Sequence, residues 1–209
     1  MKAHYTQEEK YMRLAVREAK RALSAGDVPI GCVIVYDGRS PESRADRYMT
    51  EQGILPGTVI GRGYNRRNRD RNALMHAEIL AIRRACRRIG DWRLEDCTMY
   101  VTLEPCPMCA GAIVQARIPR VVFGVRNPKA GCCGSVLDIV RTQGLNHQAE
   151  ITEGLLQESC TALLEDFFQD LRVRRKAERM KKKETEKKGG CPLPENEEGF
   201  EKNIQNGEG

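Results

Sequence analysis

The chain has 209 residues, enough for one well-buried domain and short for two. Hydrophobic residues make up 40%, and no apolar run approaches the roughly 20 residues of a membrane-spanning helix, so no such helix is expected and a cytoplasmic location is the default expectation; the opening MKAHYTQEEKYM does not read as a signal peptide. The formal net charge of +6 suits a phosphate-bearing partner without requiring one, and nine cysteines, an odd number, exclude a complete set of internal disulfides.

Residues 6–24 read as an amphipathic helix. Thr6 and Glu9 fit a capping box, Met12, Ala15, Val16, Ala19, Ala22 and Leu23 recur at helical spacing, and Gly26 is a stop signal. GCVIVYDG, residues 31–38, is a β-branched run ending in a turn, and TVIGRGYN, residues 58–65, is a second strand. Between them, 39–57 is polar and bounded by Pro41 and Pro56; it reads as an extended hairpin-loop insertion with room for one helical turn. A helix follows over 75–89, with Ile79, Leu80, Ile82, Ala85 and Cys86 as its expected buried stripe. Then come a strand over 97–103, a helix over 107–117, a strand over 120–125, a Gly- and Cys-containing loop, room for a short strand at 149–151, and a helix over 153–183. Strands alternating with helices argue for a layered α/β domain. From Arg172 to Lys188 the chain holds ten Lys or Arg against three Glu, and beyond Gly189 it is Gly-, Asn- and Glu-rich. We read 1–172 as the folded domain and 173–209 as a basic helix extension followed by a disordered tail.

His76-Ala77-Glu78 is followed, a helix and a strand later, by Pro105-Cys106-Pro107-Met108-Cys109. One imidazole and two thiolates meet the ligand count of a catalytic zinc, which keeps its fourth position open. Cys-x-x-Cys at a helix start can aim both sulfurs at one ion, and the helix dipole favours thiolates there. Glu78 lies two residues from His76, close to the metal without ligating it, where a carboxylate can take a proton from water and deliver it to a departing nitrogen. The alternatives fit less well. A zinc ribbon needs a second Cys-x-x-Cys, and a thioredoxin-like redox pair has no His-x-Glu upstream. His76 alone would be an ordinary helix-cap histidine. Cys132 and Cys133 are adjacent and read as loop thiols.

H-x-E followed by P-C-x-x-C is also the signature of the zinc deaminases of nucleobases. Beyond that motif, DVPIGCVIV, GRGYNRRN, HAEILAI, DWRLEDCTMYVTLEPCPMCAGAIVQARIPRVVFGV, GCCGSVLDIV, LNHQAEITEGLLQE and LLEDFFQDLR resemble the bacterial tRNA-specific adenosine deaminases. The resemblance covers most of 10–175 and leaves out the 39–57 insertion and the tail. It implies the three-layer α/β/α sandwich of the cytidine-deaminase fold around a central mixed sheet, one Zn2+ per subunit, a homodimer with each site near the partner subunit, and conversion of adenosine to inosine at the wobble position of an arginine tRNA. Residue by residue, it implies that His76, Cys106 and Cys109 bind zinc and that Glu78 shuttles protons. Asn65 would hydrogen-bond the target nucleotide, the Ala77 backbone would meet the base edge, and Pro29, Ile30 and Leu103 would wall the pocket. Lys129, Asn146, His147, Phe168 and Arg172 fall where the family contacts the anticodon loop. Core packing is the alternative for Phe167 and Phe168, and a plain surface role for His147. Asn127 stands where bacterial members usually carry an aspartate, which bears on contacts to the substrate sugar.

Two rival functions use the same residues differently. A guanine, cytosine or nucleotide deaminase acting on a free small molecule would share the zinc chemistry; the Asn-His pair, the DFF segment and the basic C-terminal helix favour RNA. A zinc-stabilised RNA-binding module without catalysis would have no use for Glu78.

Overall fold

The computed structural model describes residues 5–38 and 43–187. The expected disordered tail beyond Gly189 lies outside the described residues.

α1 (Gln7–Ser24) forms as the periodicity predicts, and the Thr6–Glu9 capping box is present in both directions. Strands β1 (Gly31–Tyr36), β2 (Thr58–Tyr64), β3 (Cys97–Leu103), β4 (Arg120–Val125) and β5 (Glu150–Glu153) make one mixed sheet in the order β2-β1-β3-β4-β5. β1 pairs antiparallel with both β2 and β3, while β3–β4 and β4–β5 are parallel. Every β1 side chain is buried, as a central strand with both faces covered requires. Alternation splits the core in two. Val33, Val35, Tyr100 and Val122 face Tyr11, Met12 and Ala15 of α1; Cys32, Ile34, Met99, Val101 and Phe123 face the helices on the other side. The result is the expected α/β/α sandwich. Among the described residues no helix is long and apolar enough to cross a membrane.

Three elements differ from the sequence reading. First, the 39–57 segment contains an eight-residue helix, α2 (Arg44–Glu51), rather than a loop with one turn; residues 39–42 lie outside the described residues. Ser43 caps α2 by accepting from the Asp46 amide at 3.0 Å and donates its hydroxyl to Asp96 at 2.8 Å. Met49 is fully buried and Ile54 is 7% exposed, so two apolar anchors in a polar stretch fix it to the core. Second, α3 (Ala77–Ile89) starts two residues late, and its buried row is Ala77, Leu80, Ala81, Ala85 and Ile89, with Ile79, Ile82 and Cys86 half-buried. The alanines win because β2 offers glycines: a Cβ on Gly63 would stand 2.0 Å from the Ala77 carbonyl oxygen, and one on Gly61 2.4 Å from that of Ala81. Backbone against backbone leaves no room for a large side chain. Third, the last helix, α5 (Gln157–Lys187), begins after a positive-φ bend at Gly154 and Leu156, and 150–153 is strand. One compact unit comprises residues 1–168 and the other residues 169–209.

Gly63→Ala tests the close packing of α3. The clash is with backbone, and it lies one residue from His76, so relief requires the helix start to move. We expect a loss of about 1–3 kcal/mol or more, as for other overpacked sites, and a fall in melting temperature on the order of 5 °C or more. A melt indistinguishable from the parent would refute it.

Candidate metal centre and active site

The sheet brings distant segments to one edge. β2 and β3 are each antiparallel to β1 and so run the same way. Their C-terminal ends, the start of β1 and the end of β4 therefore share an edge, and α3 and α4 (Pro107–Gln115) begin there. His76 is the residue before α3 and Cys106 the residue before α4, both in extended backbone and neither spending its side chain on capping. Pro107 occupies the first turn of α4, where its missing N–H costs nothing. Both side chains are thus free at positive helix ends.

His76 Nδ1 lies 3.6 Å from Cys106 Sγ and 3.6 Å from Cys109 Sγ, and the three ligand atoms fall within 4.8 Å of one another. Tetrahedral zinc, with Zn–S about 2.3 Å and Zn–N about 2.0–2.1 Å, would hold sulfur and nitrogen about 3.6 Å apart. The donor set and its spacing fit such an ion. The neighbouring Cys109 and His76 bring the Cys106 thiol down to about 4, while the closeness of Cys106, together with burial, pushes Cys109 up. The hydrogen bond to Cys106 raises the His76 pKa.

Glu78 lies in the first turn of α3 and is 4% exposed. Its carboxyl feels the charges of Cys106 and His76, so it lies close to the ligand atoms, and burial raises its pKa. The residues expected to wall the pocket fall at the same edge of the sheet. Asn65 follows β2 and is 5% exposed, its amide donating to the Ile30 carbonyl at 3.0 Å and its side-chain nitrogen to the Val28 carbonyl at 3.4 Å. Pro29 is buried, Ile30 and Leu103 are half-buried, and Ala77 opens α3. Asn127 and Lys129 follow β4 at the same edge. The Asn127 side-chain oxygen accepts from the Lys129 amide at 3.3 Å and the Ala130 amide at 3.2 Å, so it closes its own turn, and Lys129 is exposed.

Asn146 and His147 are not brought to this edge. They precede β5, which is parallel to β4, and His147 Nε2 is 2.8 Å from the carbonyl of Ile118, before the start of β4. A six-residue strand, roughly 20 Å long, separates them from Asn127. Phe168 on α5 is 43% exposed, its ring edge-on to Phe167 at 5.4 Å, with Phe167 half-buried. Arg172 is exposed in the basic second unit.

One residue of the site escapes the sequence reading. Glu104, at the end of β3, is 2% exposed. It accepts from the amides of Asn127 at 2.9 Å, Cys133 at 3.0 Å and Ser135 at 3.1 Å, and from the Ser135 hydroxyl. It ties the 127–135 loop, with the buried Cys132 and Cys133, to the strand that leads into Cys106.

Comparison with known proteins sets this geometry in context. The MafB19-like deaminase family matches residues 53–172. The chain is 44% identical over 174 residues to the tRNA-specific adenosine deaminase of Bacillus subtilis, covering 83% of this chain and 96% of that protein. Among solved structures it is similar to one of the tRNA:A34 deaminases, which edit A to I at the wobble position of transfer RNA. That likeness has a TM-score of 0.62 and 35% identity, and covers 74% of this chain and 99% of that one. The guanine deaminase of Nitrosomonas europaea shares the fold at a TM-score of 0.59, with 20% identity and coverage of 76% and 83%.

Proposed function

The chain belongs to the tRNA-specific adenosine deaminases, and from that premise we propose that it hydrolyses adenosine to inosine at the wobble position of an arginine tRNA in the cytoplasm, with one Zn2+ held by His76, Cys106 and Cys109 of each subunit. The observation that supports this best is a three-donor cluster with a buried carboxylate beside it at the edge where Asn65 ends β2. Zinc held there would supply the Lewis acidity that makes water nucleophilic near neutral pH. Glu78 takes the proton from the attacking water and delivers it to the departing amine, a role its burial favours by making the carboxyl readier to hold a proton between the two steps. Asn65, pinned by its backbone to Ile30, presents a side chain that can both donate to and accept from the nucleotide. Pro29, Ile30 and Leu103 exclude water around the base, and the Ala77 backbone meets its edge.

Asn127, Lys129, Phe168 and Arg172 hold the anticodon loop in this reading. Asn146 and His147 sit at the far edge of their own sheet, so we assign them to the site of a second copy in a homodimer. Sedimentation equilibrium should give a dimer at assay concentrations; a monomer that retains full activity would remove that assignment.

The experiment that tests the function is incubation of the zinc-loaded protein with an arginine-tRNA anticodon stem-loop and, separately, with free adenine, guanine and cytosine. Inosine in the stem-loop, with no ammonia from the free bases, is expected; the reverse would make it a small-molecule deaminase. The basic end of α5 should add affinity. Truncation after Val173 should weaken stem-loop binding and flatten its salt dependence, by roughly 0.7 in log–log slope for each single-stranded phosphate that is no longer neutralised. An unchanged slope would make this segment a solvated helix extension.

A further inference from the structure

The loop from Asn65 to His76 joins two residues of the site, and it is unusually cationic: Arg66, Arg67, Arg69 and Arg71 fall within it. Its shape is held firmly. The Arg66 amide donates to the Met75 carbonyl at 2.9 Å, closing the loop at its base. Asp27, fully buried in the turn between α1 and β1, accepts from the Asn68 amide at 2.9 Å and the Arg69 amide at 3.0 Å. This clamp sets Arg69 opposite the C-terminal end of α1. There a cavity of about 590 Å³ opens, lined by Lys20, Arg21, Ser24, Ala25, Tyr64 and Arg69.

The lining has a distinct chemistry. Tyr64, the residue before Asn65, is gripped by both arginines: the Arg21 guanidinium lies 4.9 Å from its ring centroid, and Arg69 Nη1 donates to its hydroxyl at 3.1 Å. Arg21 is also paired at 3.0 Å with the buried Glu18. Among the described residues neither the Lys20 ammonium nor the Arg69 guanidinium pairs with a carboxylate. Ser24 and Ala25 are small and leave the space open. A cavity with two uncompensated cations on a clamped loop, one strand residue from the nucleotide-binding Asn65, suits a compact anion on the chain that the site holds.

We infer that this cavity is a second RNA contact, binding a backbone phosphate that flanks the target nucleotide. It rests on the tRNA reading above and adds a site to it. The phosphate lies between Lys20 and Arg69, and Asp27 acts as a positioning residue through the two loop amides. Arg67 and Arg71, exposed on the same loop, extend the positive surface along which the strand passes.

The test uses the full-length, zinc-loaded protein and the anticodon stem-loop. Lys20→Gln/Arg69→Gln leaves Arg21 in place to pair with Glu18. We expect its stem-loop Kd to weaken about threefold to tenfold, and the salt slope to fall by roughly 0.7 for each phosphate released. Arg88→Gln, in the last turn of α3, should change neither. A series of stem-loops, each with one neutral methylphosphonate near the target adenosine, should weaken binding to the parent protein at one position, and the double variant should be insensitive at that same position. That series also needs no variant to fold. An unchanged salt slope, or no methylphosphonate position that distinguishes the two proteins, would overturn the inference while the parent still makes inosine. A parent protein that makes no inosine in the stem-loop would overturn the tRNA reading itself, and this inference with it.

Discussion

Glu78→Ala should keep its zinc and lose its deaminase activity. The metal donors are His76, Cys106 and Cys109, whose ligand atoms already lie within 4.8 Å of one another. Glu78 is not needed to complete them, and α3 begins with His76 in place whatever follows at 78. Yet a carboxylate 4% exposed in the first turn of α3, two residues from His76, has little structural reason to be there. Burying such a group costs free energy, and an acid–base role gives that cost a purpose. A general acid–base residue typically contributes about 10²–10⁴ in rate, or about 3–5 kcal/mol, and a residue that serves both attack and departure reaches the upper end. Glu78→Gln, which keeps the shape and removes the titrating group, should be as inactive as Glu78→Ala. Single-turnover inosine formation and elemental zinc analysis decide the matter together. Substantial turnover by either variant would sink the assignment, and so would loss of zinc from Glu78→Gln. Cys106→Ala is the contrast: it should lose both the metal and much of the stability that metal binding supplies.

How far the residues announced this site depends on the range over which each acts. His76, Glu78, Cys106 and Cys109 were legible because each motif is short and its chemistry local: two N-terminal helix positions and a Cys-x-x-Cys turn. The strands were legible from β-branched runs, and the mixed sheet follows from their alternation with helices. α2 was obscured by composition, although Ser43-Arg44-Ala45-Asp46 has the spacing of a capped helix start and Ser43 does cap it. For α3 the misleading step was to assign burial by side-chain size. Ala77, Ala81 and Ala85 are buried because Gly61 and Gly63 lie on another strand, and no periodicity within α3 reports that. The separation of Asn146 and His147 from Asn127 follows from β5 being parallel to β4, a pairing that is invisible in either segment alone. Asp27 reads as a polar turn residue until its two amide partners, some 40 positions on, are seen.

Glu104→Gln should be among the most destabilising single-atom-scale changes in this protein. Glu104 stands immediately before the Pro-Cys-x-x-Cys motif, but its partners are 23 to 31 positions downstream. Burial alone would raise its pKa; the Ser135 hydroxyl and the amides of Asn127, Cys133 and Ser135 outweigh that and hold the carboxyl below its usual range. All four partners are donors, and a carboxylate is the side chain that offers only acceptors. A glutamine replaces one oxygen with an NH₂ group. Whichever way the amide turns, that group faces either the Asn127 amide and Ser135 hydroxyl or the amides of Cys133 and Ser135. The side chain cannot step aside, because its Oε2 packs against Gly131, where there is no room even for a methyl group. The Ser135 hydroxyl can turn to accept from the NH₂ group, so the better orientation leaves one donor, the Asn127 amide, without an acceptor, at a cost of about 1–3 kcal/mol, or on the order of 2–12 °C in melting temperature. The loop that carries Asn127 and Lys129 loses its anchor at the same time, so KM for the stem-loop should rise. Zinc should remain bound, since neither Cys106 nor His76 depends on these bonds. Melting curves of the two zinc-loaded proteins near neutral pH make the comparison. A shift of less than about 1 °C, with KM unchanged, would mean that the 127–135 loop is held by something other than this carboxylate.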